Sequence, residues 1–501
     1  MRPEIEQSLQ ELKTLLVEVN DLRSAGALLH WDQATYMPEG GAPARGRQLA
    51  TLSRLAHEKF TSPRLGELLH ELRPLELEEP YESDIAALLR VTRREYLKAV
   101  RIPPAFEAKF SAHSAQIYEA WTKARPANDF ASVRPLLEKS LDLSRELASF
   151  FPHEHIADPL IDFSDGGMKT ASIRTLFAAL RAQLVPLVDE VTSRPPADTS
   201  VLRAHFPLRD QEQFTYEAVR AFGYDFERGR MDKTHHPFMT KFSLGDVRIT
   251  NRAREDDLTE LLFGSLHETG HALYEQGIAP DLEGTPLATG TSSGVHESQS
   301  RLWENLVGRS AGFWQHFYPR LQSIFPDQLG SVSPDKFLAA INHVERSLIR
   351  TDADELTYNL HVMIRFDLEI EMLEGQLEVR DLPAAWRARY QSDLSIAPAD
   401  DANGPLQDVH WFSGTIGGAF QGYTIGNILS AQFFEAAKRA NPEVDAQIAR
   451  GEFTPLREWL TQNVYRHGSK FTADEITLRA TGAELSIEPY LNYLRGKFLG
   501  S

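Results

Sequence analysis

Within Leu266-His267-Glu268-Thr269-Gly270-His271-Ala272, two imidazoles stand four residues apart and a carboxylate follows the first. Four residues make just over one turn of α-helix, so His267 and His271 leave one face about 6 Å apart along the axis and can share one ion. Glu268 is turned about 100° from His267, outside the pair but placed to act as general base on an attacking water. This arrangement of residue types is the pattern of a hydrolytic metal site.

A catalytic zinc usually takes three protein ligands and keeps one position open. Glu275, one turn beyond His271, would spread the ligands over about 12 Å, too far for bonds of about 2 Å. An extension to a third histidine fails, because Tyr274 stands where glycine is required and no histidine follows at that spacing. Asp281 and Glu283, in the loop after the helix, stay open as ligands. Glu297 fits better: it lies near the start of a second helix whose Leu302, Trp303, Leu306 and Val307 form an apolar side, and it can approach from an independent direction. Glu304 is expected to be a solvated partner of Arg301.

The elements that must position these groups are mostly helices. Apolar residues at Leu9, Leu12, Leu15, Leu16, Val19 and Leu22 recur at helical spacing through Glu4 to Leu29. Met37-Pro38-Glu39-Gly40-Gly41 reads as a loop, and residues 44–57, 82–98, 104–124, 133–150 and 172–193 read as further helices. Long helices joined by short turns predict an α-helical assembly, with the softest boundary at about residues 150–200, between an N-terminal part (1–150) and a metal-bearing part (200–501) of one unit. Alternation through Phe238, Thr240 and Phe242, then Val247 and Ile249 around Leu244-Gly245-Asp246, predicts two short strands just before the metal helix. An edge strand there can hold an extended peptide by main-chain hydrogen bonds. Asp256 or Asp257 is expected to cap the metal helix and Gly277 to end it. Gly264 and Gly270, costly within a helix, are expected where something packs close to the helix backbone.

Composition narrows the partners. A net charge of −18 and the lack of any Lys/Arg cluster argue against nucleic acid. With no cysteine, a metal must be held by histidine and carboxylate. The first twenty residues contain no apolar core of a signal peptide, and no run of about 18 apolar residues predicts a membrane span, so a soluble cytoplasmic protein is expected.

Several further stretches accompany the metal motif: Trp31-Asp32 with Met37-Pro38, His236-Pro237-Phe238, Asp246-Val247-Arg248-Ile249-Thr250, His296-Glu297-Ser298-Gln299, Ile349-Arg350-Thr351-Asp352-Ala353-Asp354 and Gly404-Pro405-Leu406-Gln407-Asp408-Val409-His410-Trp411. In these, over nearly its whole length, the chain resembles the M32 metallocarboxypeptidases, the thermostable carboxypeptidase Taq family. The resemblance implies a mainly helical fold with a deep substrate groove, a small antiparallel sheet beside the metal helix, and a homodimer. It implies that His267, His271 and Glu297 bind the metal, usually zinc with cobalt accepted, and that Glu268 activates water. The product would be a peptide shortened by one C-terminal residue, with broad specificity.

Exopeptidase action requires a cation for the free C-terminal carboxylate. Arg350, which by itself reads as an ion-pair partner of Asp352 or Asp354, takes that role through the resemblance, since a guanidinium grips a carboxylate bidentately. Related helical zinc peptidases place a histidine and a tyrosine downstream to meet the oxyanion, which makes His410 and Tyr423 the candidates; the glycines around Tyr423 suggest a closely packed or mobile loop. His236 is expected to line the groove, and Asp246 with Arg248 to form a structural pair. Two other readings use the same residues: an oligopeptidase cutting internally, and a helical peptide-binding protein with a structural metal.

Overall fold

The computed structural model describes residues 2–500. The chain is 68% helical with one three-stranded sheet, which makes it mainly α. The opening periodicity forms a single helix, Pro3–Thr35, that buries Leu9, Leu12, Leu16 and Val19. It packs against helix Ala42–Phe60 and against the sheet. The expected helices appear as Asp84–Arg101, Pro104–Ala127, Phe130–Ser149 and Thr170–Thr192. Caps set two of their starts: the side chains of Ser83 and Asp129 accept the backbone N–H groups of Ala86 and Ser132.

Apolar side chains gather in two clusters. The larger runs from Phe106 to Leu494, and the smaller joins Leu9 to Leu75, Ala87 to Val91 and the segment Ile278 to Ala288. Helix Thr170–Thr192 is long and apolar enough by composition to cross a membrane. Here it buries Ile173, Phe177, Leu180, Leu184 and Leu187 in the larger cluster, and its Arg181 pairs with Asp367 at 2.6 Å.

The sheet has strands β1 (Met231–Lys233), β2 (Met239–Ser243) and β3 (Asp246–Asn251) in the order β1-β3-β2. β2 and β3 form the expected antiparallel hairpin, but β1 pairs with β3 in parallel, so the sheet is mixed and not antiparallel. Three residues of β1 are too few to show an alternation. Val247 and Ile249 are fully buried against the metal helix, and β2 is left as an edge. Asp246 and Arg248 form the expected pair, with both contacts at 2.8 Å, and Arg248 lies 4.4 Å from the centre of the Trp31 ring, tying the sheet to the first helix.

Candidate metal centre

The metal helix, Leu258–Gln276, starts at Asp257, whose side chain accepts the Thr259 N–H, and Gly277 follows its end. Leu258, Leu261, Leu262, Leu266 and Leu273 anchor it in the core. At Gly270 the helix meets the backbone of helix Ser293–Arg301: a Cβ there would lie 2.4 Å from the Gln299 carbonyl oxygen and 2.6 Å from Ser300 Cα. Glycine is what allows this approach. A Cβ at Gly264 would meet nothing within 4 Å outside its own helix among the described residues, so only the close contact expected at Gly270 is found.

Helix Ser293–Arg301 is capped by Ser292 and runs on into a π-helical turn, Leu302–Val307. Its Glu297 is pressed from the other side by helix Gln421–Ala440, where a Cβ at Gly426 would come within 2.6 Å of the Glu297 Cβ and Cγ. Two backbone approaches therefore set where Glu297 stands.

The result is a compact donor set. Glu297 Oε2 lies 3.7 Å from His267 Nε2 and 3.5 Å from His271 Nε2, and one ligand atom from each of the three residues lies within 4.8 Å of the others. Two imidazoles and a carboxylate at this spacing fit a divalent cation such as zinc. Asp281 and Glu283 are not brought into the set; Glu283 instead accepts the Leu244 N–H at 2.7 Å. Burial alone would raise the Glu297 carboxyl, but the Arg301 guanidinium and the two imidazoles outweigh it and hold it well below the usual range. Burial drops His271 to about 4, which keeps it neutral, the ligating form.

Glu268 is buried beside the two histidines, and among the described residues it takes no hydrogen bond from the protein. Burial, with His267 opposing and Glu297 reinforcing, raises it to about 7, a value suited to a base near neutral pH.

Each histidine is held from behind. His267 Nδ1 donates to Glu304 Oε2 at 2.9 Å, which turns Nε2 toward the donor set. Glu304 is thus a buried support of His267, not the solvated residue expected. It does meet Arg301, at 3.4 Å, and also Arg309, at 3.4 Å. His271 Nδ1 lies 2.6 Å from His296 Nδ1, and His296 Nε2 lies 2.9 Å from Glu275 Oε1. Glu275, set aside as a ligand, is buried and paired with Lys241 of β2 at 2.6 Å. An open cavity of about 690 Å³ borders His296, Lys241, Phe242 and Ser293, along the edge strand.

A second cluster surrounds Arg350. Its Nε lies 2.6 Å and its Nη2 3.3 Å from Asp408, and its Nη1 lies 2.9 Å from the Tyr358 hydroxyl. Its partner is Asp408, not Asp352 or Asp354. A guanidinium has five N–H groups, so one on each terminal nitrogen stays uncommitted. Asp408 also receives Arg365 at 2.9 Å and His410 Nδ1 at 2.5 Å, and His410 Nε2 faces the Tyr423 hydroxyl at 3.2 Å. Burial pushes the Tyr423 hydroxyl well up, so it stays protonated and can donate. Tyr423 itself lies in the first turn of helix Gln421–Ala440; Gly414, Gly417 and Gly418 lie in the loop before it, the last two at positive φ, whereas Gly426 is a helix residue that serves packing. His236 is exposed between β1 and β2, and among the described residues it makes no hydrogen bond to the donor set.

Glu304, His296, Glu275, Lys241 and Asp408 escaped sequence reasoning as site residues. Two of them carried a local signal, Glu304 two turns beyond Glu297 and Glu275 one turn beyond His271.

The family model for carboxypeptidase Taq (M32) metallopeptidase matches residues 11–498. Thermostable carboxypeptidase 1 of Thermus thermophilus is 41% identical, over 98% of each chain. Carboxypeptidase 1 of Bacillus subtilis is 37% identical over 99% of each. The solved structure of the M32 carboxypeptidase from Deinococcus radiodurans superposes with a TM-score of 0.95 at 50% identity, covering 98% of this chain and 99% of that one. Whole-length matches in sequence and fold, around a His-His-Glu donor set, lead to one conclusion: the chain belongs to the M32 family of metallocarboxypeptidases and is a peptide hydrolase.

Proposed function

We propose that this is a zinc-dependent carboxypeptidase of broad specificity, which releases single residues from the free C-terminus of peptides. His267, His271 and Glu297 hold the ion, and cobalt can take the same place. The observation that carries the reading is the meeting of three ligand atoms within 4.8 Å beside the uncommitted carboxylate of Glu268.

Bound there, the ion supplies Lewis acidity toward the scissile carbonyl and the attacking water. Arg350 receives the substrate's terminal carboxylate on its two free N–H groups, and Asp408 and Tyr358 keep the guanidinium plane fixed. Glu268 takes the proton from the water and later delivers it to the leaving amine. The protonated Tyr423 hydroxyl, which faces His410 Nε2 in the free protein, turns its one hydrogen to the oxygen on which negative charge develops. Asp408 accepts from His410 Nδ1 and fixes that ring. The groups at the reacting bond address backbone atoms and a carboxylate that every peptide carries, which supports broad tolerance of side chains.

The edge strand β2 and the adjoining cavity supply a wall along which the rest of the peptide can extend, and we place the exposed His236 at its rim. The chain acts as one peptidase unit. A homodimer, on family likeness, and a cytoplasmic location complete the reading; sedimentation measures the first. Titration of the metal-free protein tests the ligand set. One tight equivalent is expected for wild type and none for His271→Ala, and equal affinity in the two contradicts the assignment.

A further inference from the structure

His267 and His271 are supported in different ways. His267 donates directly to a carboxylate, Glu304. Behind His271 stands another imidazole, and the carboxylate comes one step later.

The chemistry of this chain of contacts runs in only one direction. Glu275 Oε2 faces the Lys241 ammonium at 2.6 Å, and Oε1 accepts the Gly290 N–H at 3.0 Å. A carboxylate so paired can only accept, so His296 must donate from Nε2. The ligand set proposed above needs the lone pair of His271 on Nε2, the atom that faces Glu297, and therefore its hydrogen on Nδ1. That hydrogen points at His296 Nδ1, 2.6 Å away, which has to accept it. The His296 ring is boxed in by the rings of His271 and Tyr274, at centroid distances of 4.7 Å and 5.2 Å. It cannot turn freely to present the other nitrogen.

We propose that His296 is a positioning residue for the metal site: by accepting at Nδ1 it selects the ligating tautomer of His271, and Lys241 and Glu275 fix its own orientation. The device begins on the edge strand β2 and ends at a ligand nitrogen. It orients the second histidine without placing another anion against its ring, while the first histidine carries the anion Glu304. The proposal rests on the ligand set given above.

Zinc dissociation constants measured by chelator competition on the full-length chain test it, with thermal unfolding of each metal-free protein as the check on folding. His296→Leu, which fills the space but accepts nothing, is expected to weaken zinc about 10–100-fold. His296→Asn, whose Oδ1 takes the place of the imidazole acceptor, is expected to bind zinc close to the wild-type value. An unchanged constant for His296→Leu, or an asparagine variant as weak as the leucine one, overturns the proposal. If His296→Leu does not fold, His296→Ala is compared with His296→Asn under the same two outcomes. His271→Ala keeps the two ideas apart: tight zinc retained there overturns the ligand set itself, whatever His296 does.

Discussion

Gly426 lies directly against Glu297, so that a Cβ on residue 426 would come within 2.6 Å of both Cβ and Cγ of that side chain. Glu297, the proposed third ligand, is therefore placed by the absence of an atom on another helix, some 130 residues further along the chain. Gly426→Ala must push helix Gln421–Ala440 away or displace Glu297. The expected result is a loss of about 1–3 kcal/mol in stability, from overpacking, together with weaker metal binding. Gly264→Ala, on the open face of the metal helix, is the opposite case and should stabilise by about 1 kcal/mol with metal affinity unchanged. Thermal unfolding and metal titration of the two variants decide, and a tolerated alanine at 426 contradicts the packing account.

Glu268→Gln keeps shape and burial and removes the base. With metal bound in full, kcat should fall about 10²–10⁴-fold. Normal turnover in the metal-replete variant would remove Glu268 from the mechanism.

Tyr423→Phe deletes one hydroxyl that faces His410 at 3.2 Å. Donation to a developing oxyanion is made mainly in the transition state, so kcat should drop about 10²–10³-fold with KM little changed. A rise in KM alone would assign Tyr423 to substrate binding.

Arg350→Lys keeps the charge and loses the planar fork. Steady-state kinetics should show a large loss of kcat/KM on peptides with a free C-terminus, and a much smaller preference for them over their amides. A variant that still distinguishes the two as wild type does would place carboxylate recognition elsewhere.

Stability should respond to pH through Glu369, which is fully buried and receives the Trp411 indole N–H at 2.7 Å. Burial raises it from 4.5 to about 8. Between those values the folded chain holds a proton that the unfolded chain has released, so stability is greatest below the lower value and falls as pH rises to the upper one. Glu369→Gln stays neutral throughout. Relative to wild type it should gain about 1–3 kcal/mol between pH 5 and pH 8 in denaturant unfolding. A gap that does not change with pH contradicts the shift.

His267 and His271 are legible in the sequence because a helix converts a spacing of four residues into a shared face, a purely local relation. Glu297 is legible less directly, through the apolar side that marks its helix. What hides is long-range. Arg350 meets Asp408, and Glu275 meets Lys241, across intervals that no periodicity spans. Glu304 reads from the sequence as a solvated partner of Arg301, three residues before it, and only packing of the π-helical turn shows it turned inward behind His267. β1 is three residues long, and its parallel pairing with β3 depends on where the chain returns, which sequence alternation does not record. Among the glycines near Tyr423, Gly417 and Gly418 do form a loop at positive φ, whereas Gly426 is a helix residue required by a neighbour, and spacing does not separate the two cases.

Mass spectrometry of peptide products from the zinc-loaded enzyme tests the central claim most directly, using one peptide with a free C-terminus and the same peptide as its amide. The account predicts a ladder of products shortened one residue at a time from the free C-terminus, and little reaction on the amide. Undiminished cleavage of the amide, or internal fragments from both peptides, would contradict it.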